Sequence, residues 1–151
     1  MNRQTSPNGE PECVYLVGGE ANSLSEKWVK NLREQVFTDG GEDFNLDRFD
    51  GKQVSDVDVI AQAARTLPML SPKRLVLVNN AEVILAFSKD RAKPLIDYVV
   101  NPDPSTVLVL YTTGKIPKAS ALAKALHKHA QIVEFAALRE REVLPLSLIH
   151  I

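Results

Sequence analysis

The sequence predicts a three-layer α/β fold in which helices cover both faces of a parallel five-stranded sheet. Short apolar segments alternate with amphipathic segments of about 10–15 residues, which is the order of strands and crossover helices in such a sheet. The predicted strands at 74–80 and 106–111 are nearly continuous apolar segments, as strands buried on both faces are. The first apolar segment ends at Gly18-Gly19 and a helix follows shortly after, a layout typical of P-loop NTPases and their phosphate-binding loops.

Apolar spacing and turn residues place the elements of the first half. Residues 13–17 predict a buried strand that the two glycines end. Ser23, with a glutamate three residues later, predicts a capping box at the first helix. Residues 44–49 predict a second extended segment, and Ser55 is a candidate cap for a second helix that Pro68 ends. The apolar faces of these helices consist of Leu24, Trp28, Val29, Leu32 and Val36 in the first and Val57, Ile60, Ala61, Ala64 and Leu67 in the second.

The second half of the chain continues the alternation. Segments 74–80, 106–113 and 131–135 predict the three remaining strands. Helices are predicted between them at 89–100 and 118–129. The strands and helices therefore alternate throughout, which fits one parallel sheet.

Composition and charge restrict the function classes. The 151 residues fit one domain, and the polar segment 1–12, which contains two prolines, predicts a disordered tail. With a net charge of −1, the chain has no global attraction to nucleic acid or to an anionic membrane. Cys13 is the only cysteine, which excludes an internal disulfide and a zinc site built from several thiolates. No apolar segment approaches the ~18 residues of a membrane span, and no signal peptide is evident, so we expect a cytoplasmic location.

The glycine loop departs from a working phosphate-binding loop, whose pattern is G-x-x-x-x-G-K-[ST]. Counted from Gly18, the second glycine position holds Ser23 and the lysine position holds Leu24. Counted from Gly19, these positions hold Leu24 and Ser25. Neither register supplies the lysine that reaches the phosphates. We therefore expect a degenerate phosphate loop and no bound ATP, although a helix N-terminus can attract a weak anion.

The carboxylate that would hold Mg²⁺ is missing as well. P-loop ATPases place an aspartate at the end of a central strand. Here the residues after RLVLV are Asn79, Asn80, Ala81 and Glu82, and Glu82 comes late enough to fall in the next helical turn. The same gap argues against a phosphoacceptor domain. The residues thus predict an ATPase-like framework with no catalytic residue, no metal site and no cofactor.

Five segments together resemble a known family. VYLVGGEANSLSEKWVKNLRE, DFNLDRFDG, ARTLPMLSPKRLVLVNNAE, STVLVLYTTGKIPKASALAKAL and IVEFAALRERE, in this order, are similar to the N-terminal domain of bacterial DNA polymerase III delta subunits, from roughly Val14 to Glu142. The resemblance implies an AAA+-type domain at 13–142 that has lost ATP hydrolysis. The sequence departs from the family at Val143, so 143–151 is interpreted as an aberrant or truncated tail.

The resemblance also implies partners and a mode of action. Delta subunits belong to a pentameric clamp loader that contains ATP-hydrolysing subunits and a delta-prime subunit. Delta binds and opens the ring-shaped beta sliding clamp, which is then placed on primed DNA. The implied partners are therefore the clamp, the other loader subunits and, indirectly, primed DNA, with no membrane.

In this family the clamp contact comes from the segment before the third strand, which here is Leu67, Pro68, Met69 and Leu70. Met69 and Leu70 replace the commoner aromatic pair. Pro68, together with a second proline at position 72, would stiffen a short loop that displays two apolar side chains. From the residues alone, packing of these side chains beneath their own sheet is the commoner arrangement, whereas the resemblance favours exposure.

Other features leave alternatives open. A group of basic residues near the last helix could contact DNA phosphates or another subunit, or could be a solvated helix face: Lys115, Lys118, Lys124 and Lys128, with His127 and His129. Lys73 and Arg74 could steer the apolar loop to an acidic surface or merely solvate a strand. Two alternative functions remain: an NTPase with an unusual phosphate loop, and an ATPase-like scaffold domain of another complex.

Overall fold

Strands and helices alternate along the chain in the computed structural model, which describes residues 11–38 and 40–136. The strands are β1 (Val14–Gly18), β2 (Leu46–Asp50), β3 (Arg74–Asn79), β4 (Thr106–Tyr111) and β5 (Gln131–Glu134). The helices are α1 (Asn22–Val36), α2 (Glu42–Asn45), α3 (Asp58–Arg65), α4 (Ala81–Leu85), α5 (Lys89–Val100) and α6 (Ala121–His129). Within these described ranges, no helix has the length and apolar character needed to cross a bilayer.

All strand pairings in the sheet are parallel, and the strand order is β2-β3-β4-β1-β5. The predicted fold class, a five-stranded parallel sheet in a three-layer α/β domain, is confirmed. β3, β4 and β1 occupy the interior of the sheet, which explains why their sequences are the most continuously apolar.

Two apolar layers flank the sheet, one on each face. On one face, Tyr15 and Val17 of β1 pack with the buried side of α1, where Trp28 meets Tyr15 edge-on with ring centroids 4.9 Å apart. On the other face, Leu16 of β1 packs with buried residues of α3, α4, α5 and α6. Alternate residues of β1 thus serve opposite layers, as the period of a strand requires.

The connections change direction at β1. The chain leaves β1 through α1 toward β2 at one edge of the sheet, whereas the later crossovers proceed from β2 toward β5 and place their helices on the other face. Right-handed crossovers account for this division, because opposite directions of travel put helices on opposite faces. A crevice therefore forms between the carboxyl ends of β1 and β4, the position where open α/β sheets bind ligands.

Both predicted serine caps are wrong. Helix α1 begins at Asn22, one residue before Ser23, because the Ala21 carbonyl already accepts the N–H groups of Leu24 and Ser25. Helix α3 begins at Asp58, and its first N–H is accepted by Asp56 Oδ1.

Ser55 has a different role, because its carbonyl oxygen accepts hydrogen bonds from the Arg91 guanidinium of α5. In both cases a local cap signal was overridden by neighbouring contacts.

Other boundaries also differ from the predictions. Phe44 lies in the short helix α2 rather than in a strand, and α3 ends at Arg65 rather than at Pro68. Leu67 is therefore outside the helix and is not part of its apolar face. Helix α6 starts later than predicted, at Ala121, because Ser120 caps it. Residues 1–10 of the predicted tail at 1–12, and the aberrant tail at 143–151, lie outside the described residues.

Candidate functional site

The crevice between β1 and β4 is closed by the protein's own backbone. The Gly19 N–H donates to the Gly114 carbonyl oxygen at 2.7 Å, and the Ala21 N–H donates to the Phe135 carbonyl oxygen at 3.1 Å. In the opposite direction, the Gly114 N–H donates to the side-chain oxygen of Asn22 at 3.3 Å. A phosphate would need backbone N–H groups such as those of Gly19 and Ala21, which here are already used.

The two glycines are required by this close packing. A side chain at Gly18 would overlap the Thr112 hydroxyl, and one at Gly19 would overlap the Phe135 carbonyl. Gly19 also has φ +117°, a conformation that L residues rarely adopt. The glycines therefore serve the contact between β1, the loop after β4 and the end of β5.

The other predicted phosphate-loop residues lie in a helix rather than in a loop. Ser23, Leu24 and Ser25 belong to the beginning of α1, so that only three residues separate β1 from that helix. Ser25 is fully buried, and its hydroxyl lies 3.4 Å from the carbonyl oxygens of Gly18 and Ala21. The structure thus brings the five predicted residues together, with Ser25 directed at the protein's own backbone.

A second hydrogen-bonded group lies beside this crevice, at the ends of β2, β3 and β4. Asn80, whose φ is +53°, donates from its amide to Asp50 at 2.9 Å. Thr113 donates its hydroxyl to Asn80 at 3.3 Å and its backbone N–H to Glu82 at 3.0 Å. The hydrogen bond from Asn80, with a further one from the Lys52 N–H, lowers the pKa of Asp50 below its ordinary value.

Sequence reasoning missed Asp50 and Thr113, and it had no signal for them, because three separate strands bring these residues together. Glu82 lies in α4, as the sequence predicted. Among residues 11–38 and 40–136, no three His, Cys, Asp or Glu side chains gather in a way that could hold a metal ion.

The loop between α3 and β3 exposes apolar side chains, and it lies at the opposite end of the sheet, where the strands begin. Leu67, Met69 and Leu70 are 69%, 57% and 87% exposed. The arrangement in which Met69 and Leu70 pack beneath their own sheet is therefore contradicted. Leu67 to Leu70 form one exposed apolar loop, hereafter the apolar loop, with the half-buried Pro68 between them.

The backbone of the apolar loop is held in an unusual conformation. Leu70 has φ +58°, in the left-handed region, which costs a non-glycine residue about 1–2 kcal/mol. The buried side chain of Asn45 binds the preceding residue from both sides: it accepts from the Met69 N–H and donates to the Met69 carbonyl, each at 2.6 Å. Sequence reasoning missed Asn45, because its partner lies 24 residues away.

Two side chains fix the base of the apolar loop. Arg74 is only 7% exposed and donates to the Thr66 carbonyl at 3.1 Å and to Asp47 at 2.7 Å. Neither of the two alternatives for Arg74, steering the apolar loop or solvating a strand, fits the structure, because its charge is buried and paired. Lys73 is half-buried, and its ammonium group donates to the Pro104 carbonyl at 2.6 Å.

Tyr98 supports the end of α3 just before the apolar loop. Its hydroxyl donates to the Ala64 carbonyl at 3.5 Å and accepts from the Asp103 N–H at 3.2 Å. The Arg65 guanidinium lies 5.4 Å from the centre of its ring. Burial raises the pKa of Tyr98 to about 12, because the buried hydroxyl cannot easily lose its proton to form a charge.

The four lysines near α6 are exposed, and Lys115 lies 4.0 Å from Glu20. Such exposure fits a solvated helix face. Within the described residues, the only ion pair of Lys115 is this long one with Glu20.

These features define the class of the protein: it is an open, all-parallel α/β domain whose ligand crevice is closed by backbone contacts. A family model for "DNA polymerase III, delta subunit" matches residues 15–136. The chain belongs to the DNA polymerase III delta-subunit family, and the resemblance seen in its sequence is confirmed.

One curated relative and two solved structures illustrate the relationship. The chain is 31% identical over 140 residues to DNA polymerase III subunit delta of Bacillus subtilis (strain 168), which covers 89% of this chain and 40% of the relative. It matches the structure of the Bacillus subtilis DNA clamp loader delta protein with a TM-score of 0.78 and 31% identity, over 89% of this chain and 41% of that one. This chain therefore spans about two-fifths of these relatives.

A more distant structure shares the fold alone. It is a DNA polymerase III gamma subunit-related protein from Thermotoga maritima MSB8, with a TM-score of 0.62 and 17% identity over 84% of this chain and 42% of that one.

Proposed function

We propose that this domain is the clamp-contacting module of a bacterial clamp loader, acting in the cytoplasm during DNA replication. It binds the beta sliding clamp through the apolar loop and favours the opened ring, without hydrolysing ATP itself. The observation that carries the proposal is the exposure of Met69 and Leu70 on a loop whose backbone is fixed. Family membership supplies the partner, and the exposed apolar side chains supply the means of contact.

Physically, the apolar loop suits a contact of this kind. Apolar side chains buried at the centre of an interface contribute most of its binding energy. Methionine adapts its shape to a receiving pocket because its side chain is unbranched and flexible. Since the bases of the loop are held by Arg74 and Tyr98, little ordering of the backbone would remain to be done on binding.

Ring opening in this proposal requires no covalent step. The domain would bind more tightly to a clamp conformation whose interface is open, and this difference in affinity would shift the clamp population. ATP would act through the ATP-hydrolysing subunits of the loader, with delta-prime and primed DNA as further partners of the whole assembly. The closed crevice beside Gly19 supports a role without catalysis in this domain.

The test is the affinity of the full chain for beta sliding clamp, measured by calorimetry, before and after the double substitution Met69→Ala/Leu70→Ala. We expect binding to weaken about 30-fold or more, since truncating one central anchor costs about 2 kcal/mol. Val59→Ala is the matched control, because Val59 is an apolar residue of α3 that is 47% exposed and lies outside the apolar loop. Equal affinities for the double variant and the native chain would remove the assignment.

A further inference from the structure

Asn45 makes contacts that reach beyond its own helix. Its side chain is fully buried, its oxygen accepts the Met69 N–H, and its amide nitrogen donates to the carbonyl oxygens of Met69 and Gly41 at 2.6 and 2.8 Å. One side chain thus satisfies both backbone polar groups of Met69. A neighbouring strand pairs with a residue in the same two-way manner. Here an amide takes the place of the strand.

The residue that follows depends on this support. Leu70 is 87% exposed and has a left-handed backbone, so burial of its own side chain does not hold its conformation. Gly41 also supports the apolar loop, because it lies close to Leu70 and Ser71. A Cβ added at Gly41 would lie 2.9 Å from the Cβ of Ser71 and 3.4 Å from the Leu70 carbonyl oxygen, so this glycine admits the loop against α2.

We infer that Asn45 is a positioning residue of the apolar loop: by fixing the Met69 backbone, it holds Leu70 outward before the clamp arrives. The inference rests on the proposed function, because the clamp is the partner that the loop would meet. Only molecules whose loop already has the binding conformation can bind, so apparent affinity falls in proportion to their fraction. Asn45 would therefore control affinity without contacting the clamp.

Amide hydrogen exchange tests the structural half of the inference without the clamp. In the full native chain, the Met69 N–H should exchange well below the rate of a free peptide, although it lies in an exposed loop. Asn45→Ala should accelerate this exchange about tenfold or more, since the acceptor is removed.

Val133→Ala serves as a control, because Val133 is a fully buried residue of β5 at the far edge of the sheet. It should lower stability without changing exchange at Met69. Free-peptide exchange at Met69 in the native chain would overturn the inference and requires no variant. So would an unchanged rate in Asn45→Ala.

A double-mutant cycle on clamp affinity tests the functional half. Asn45→Ala should weaken binding about tenfold when Met69 and Leu70 are both present and should have no further effect in a Met69→Ala/Leu70→Ala background. An equal loss in both backgrounds would mean that Asn45 acts only on general stability, which overturns the inference. If Met69→Ala/Leu70→Ala left affinity unchanged, the clamp assignment itself would fail, while the exchange experiment would still decide whether Asn45 holds the loop.

Discussion

The loops at the two ends of the parallel strands behave in opposite ways. At the carboxyl-terminal end, the loop after β1 uses the N–H groups of Gly19 and Ala21 in backbone hydrogen bonds within the domain. At the amino-terminal end, the loop before β3 leaves the apolar side chains of Met69 and Leu70 exposed to solvent. The comparison supports the proposal that the partner binds at the amino-terminal end of the sheet, since unburied apolar surface favours a partner.

Gly19→Ala should have the largest effect, because it disrupts the backbone contacts at the carboxyl-terminal end of the sheet. A left-handed alanine is strained, and its methyl group would overlap the Phe135 carbonyl, so we expect unfolding free energy to fall by about 3 kcal/mol or more. Urea unfolding measures the change.

Gly40→Ala is the matched control for that measurement. Gly40 has a similar positive φ of 88°, but nothing lies within 4 Å of an added Cβ. It should cost only the backbone strain, about 1 kcal/mol. Equal losses for the two variants would show that the contact with Phe135 is not needed for stability.

Tyr98→Phe should have a smaller effect, at the base of the apolar loop. We expect a loss of about 1 kcal/mol at neutral pH, because the hydrogen bonds to Ala64 and Asp103 disappear. The loss should shrink in alkali. The folded pKa of about 12 lies above the ordinary value of 10.0, so the stabilisation from this hydroxyl is fully present below pH 10 and is lost as pH rises toward 12.

Urea unfolding at several pH values, with tyrosinate absorbance as a second signal, checks this prediction. Tyr15, whose pKa is likewise raised to about 12 by burial, remains in the variant as an internal reference. A native chain whose stability does not fall between pH 10 and 12 would contradict the assignment of these two tyrosines.

The smallest effect is expected when the phosphate-loop pattern is restored after β1. The double substitution Ser23→Gly/Leu24→Lys completes the phosphate-loop pattern counted from Gly18, since Ser25 already stands in its place. We expect no binding of ATP with Mg²⁺ at micromolar concentration, because Gly19 and the start of α1 keep their present contacts. Calorimetry detects any binding, and circular dichroism confirms that the variant folds. Micromolar affinity would show that side chains alone, rather than the closed backbone, exclude the nucleotide.

Local patterns predicted the fold better than they predicted its boundaries. Helix α5 matches its predicted range of 89–100, because its apolar face and flanking polar residues all lie within that one segment. The predicted caps at Ser23 and Ser55 failed because other groups accept the first N–H groups of these helices: the Ala21 carbonyl in α1, whose own N–H is bonded to the distant Phe135, and the Asp56 side chain in α3. Sequence alone cannot supply contacts between distant elements.

The candidate site shows the same division. The absence of a phosphate-binding lysine is visible in the sequence, but the bond between Gly19 and Gly114 that closes the crevice is not. Composition cannot distinguish an exposed Met69 from a buried one, and here the family resemblance favoured the correct alternative. Asn45 carried no signal, because an asparagine before a strand is ordinary until its distant partner is known.

Trp28 is the single tryptophan of the chain, and it lies against Tyr15 where α1 covers β1. Its fluorescence therefore reports on one layer of the domain without any label. Loss of that layer should shift the emission to longer wavelength as the indole meets water, whereas a ligand seated on the far loop should leave the spectrum unchanged. Melting and complex formation can thus be followed as separate optical events in a single cuvette.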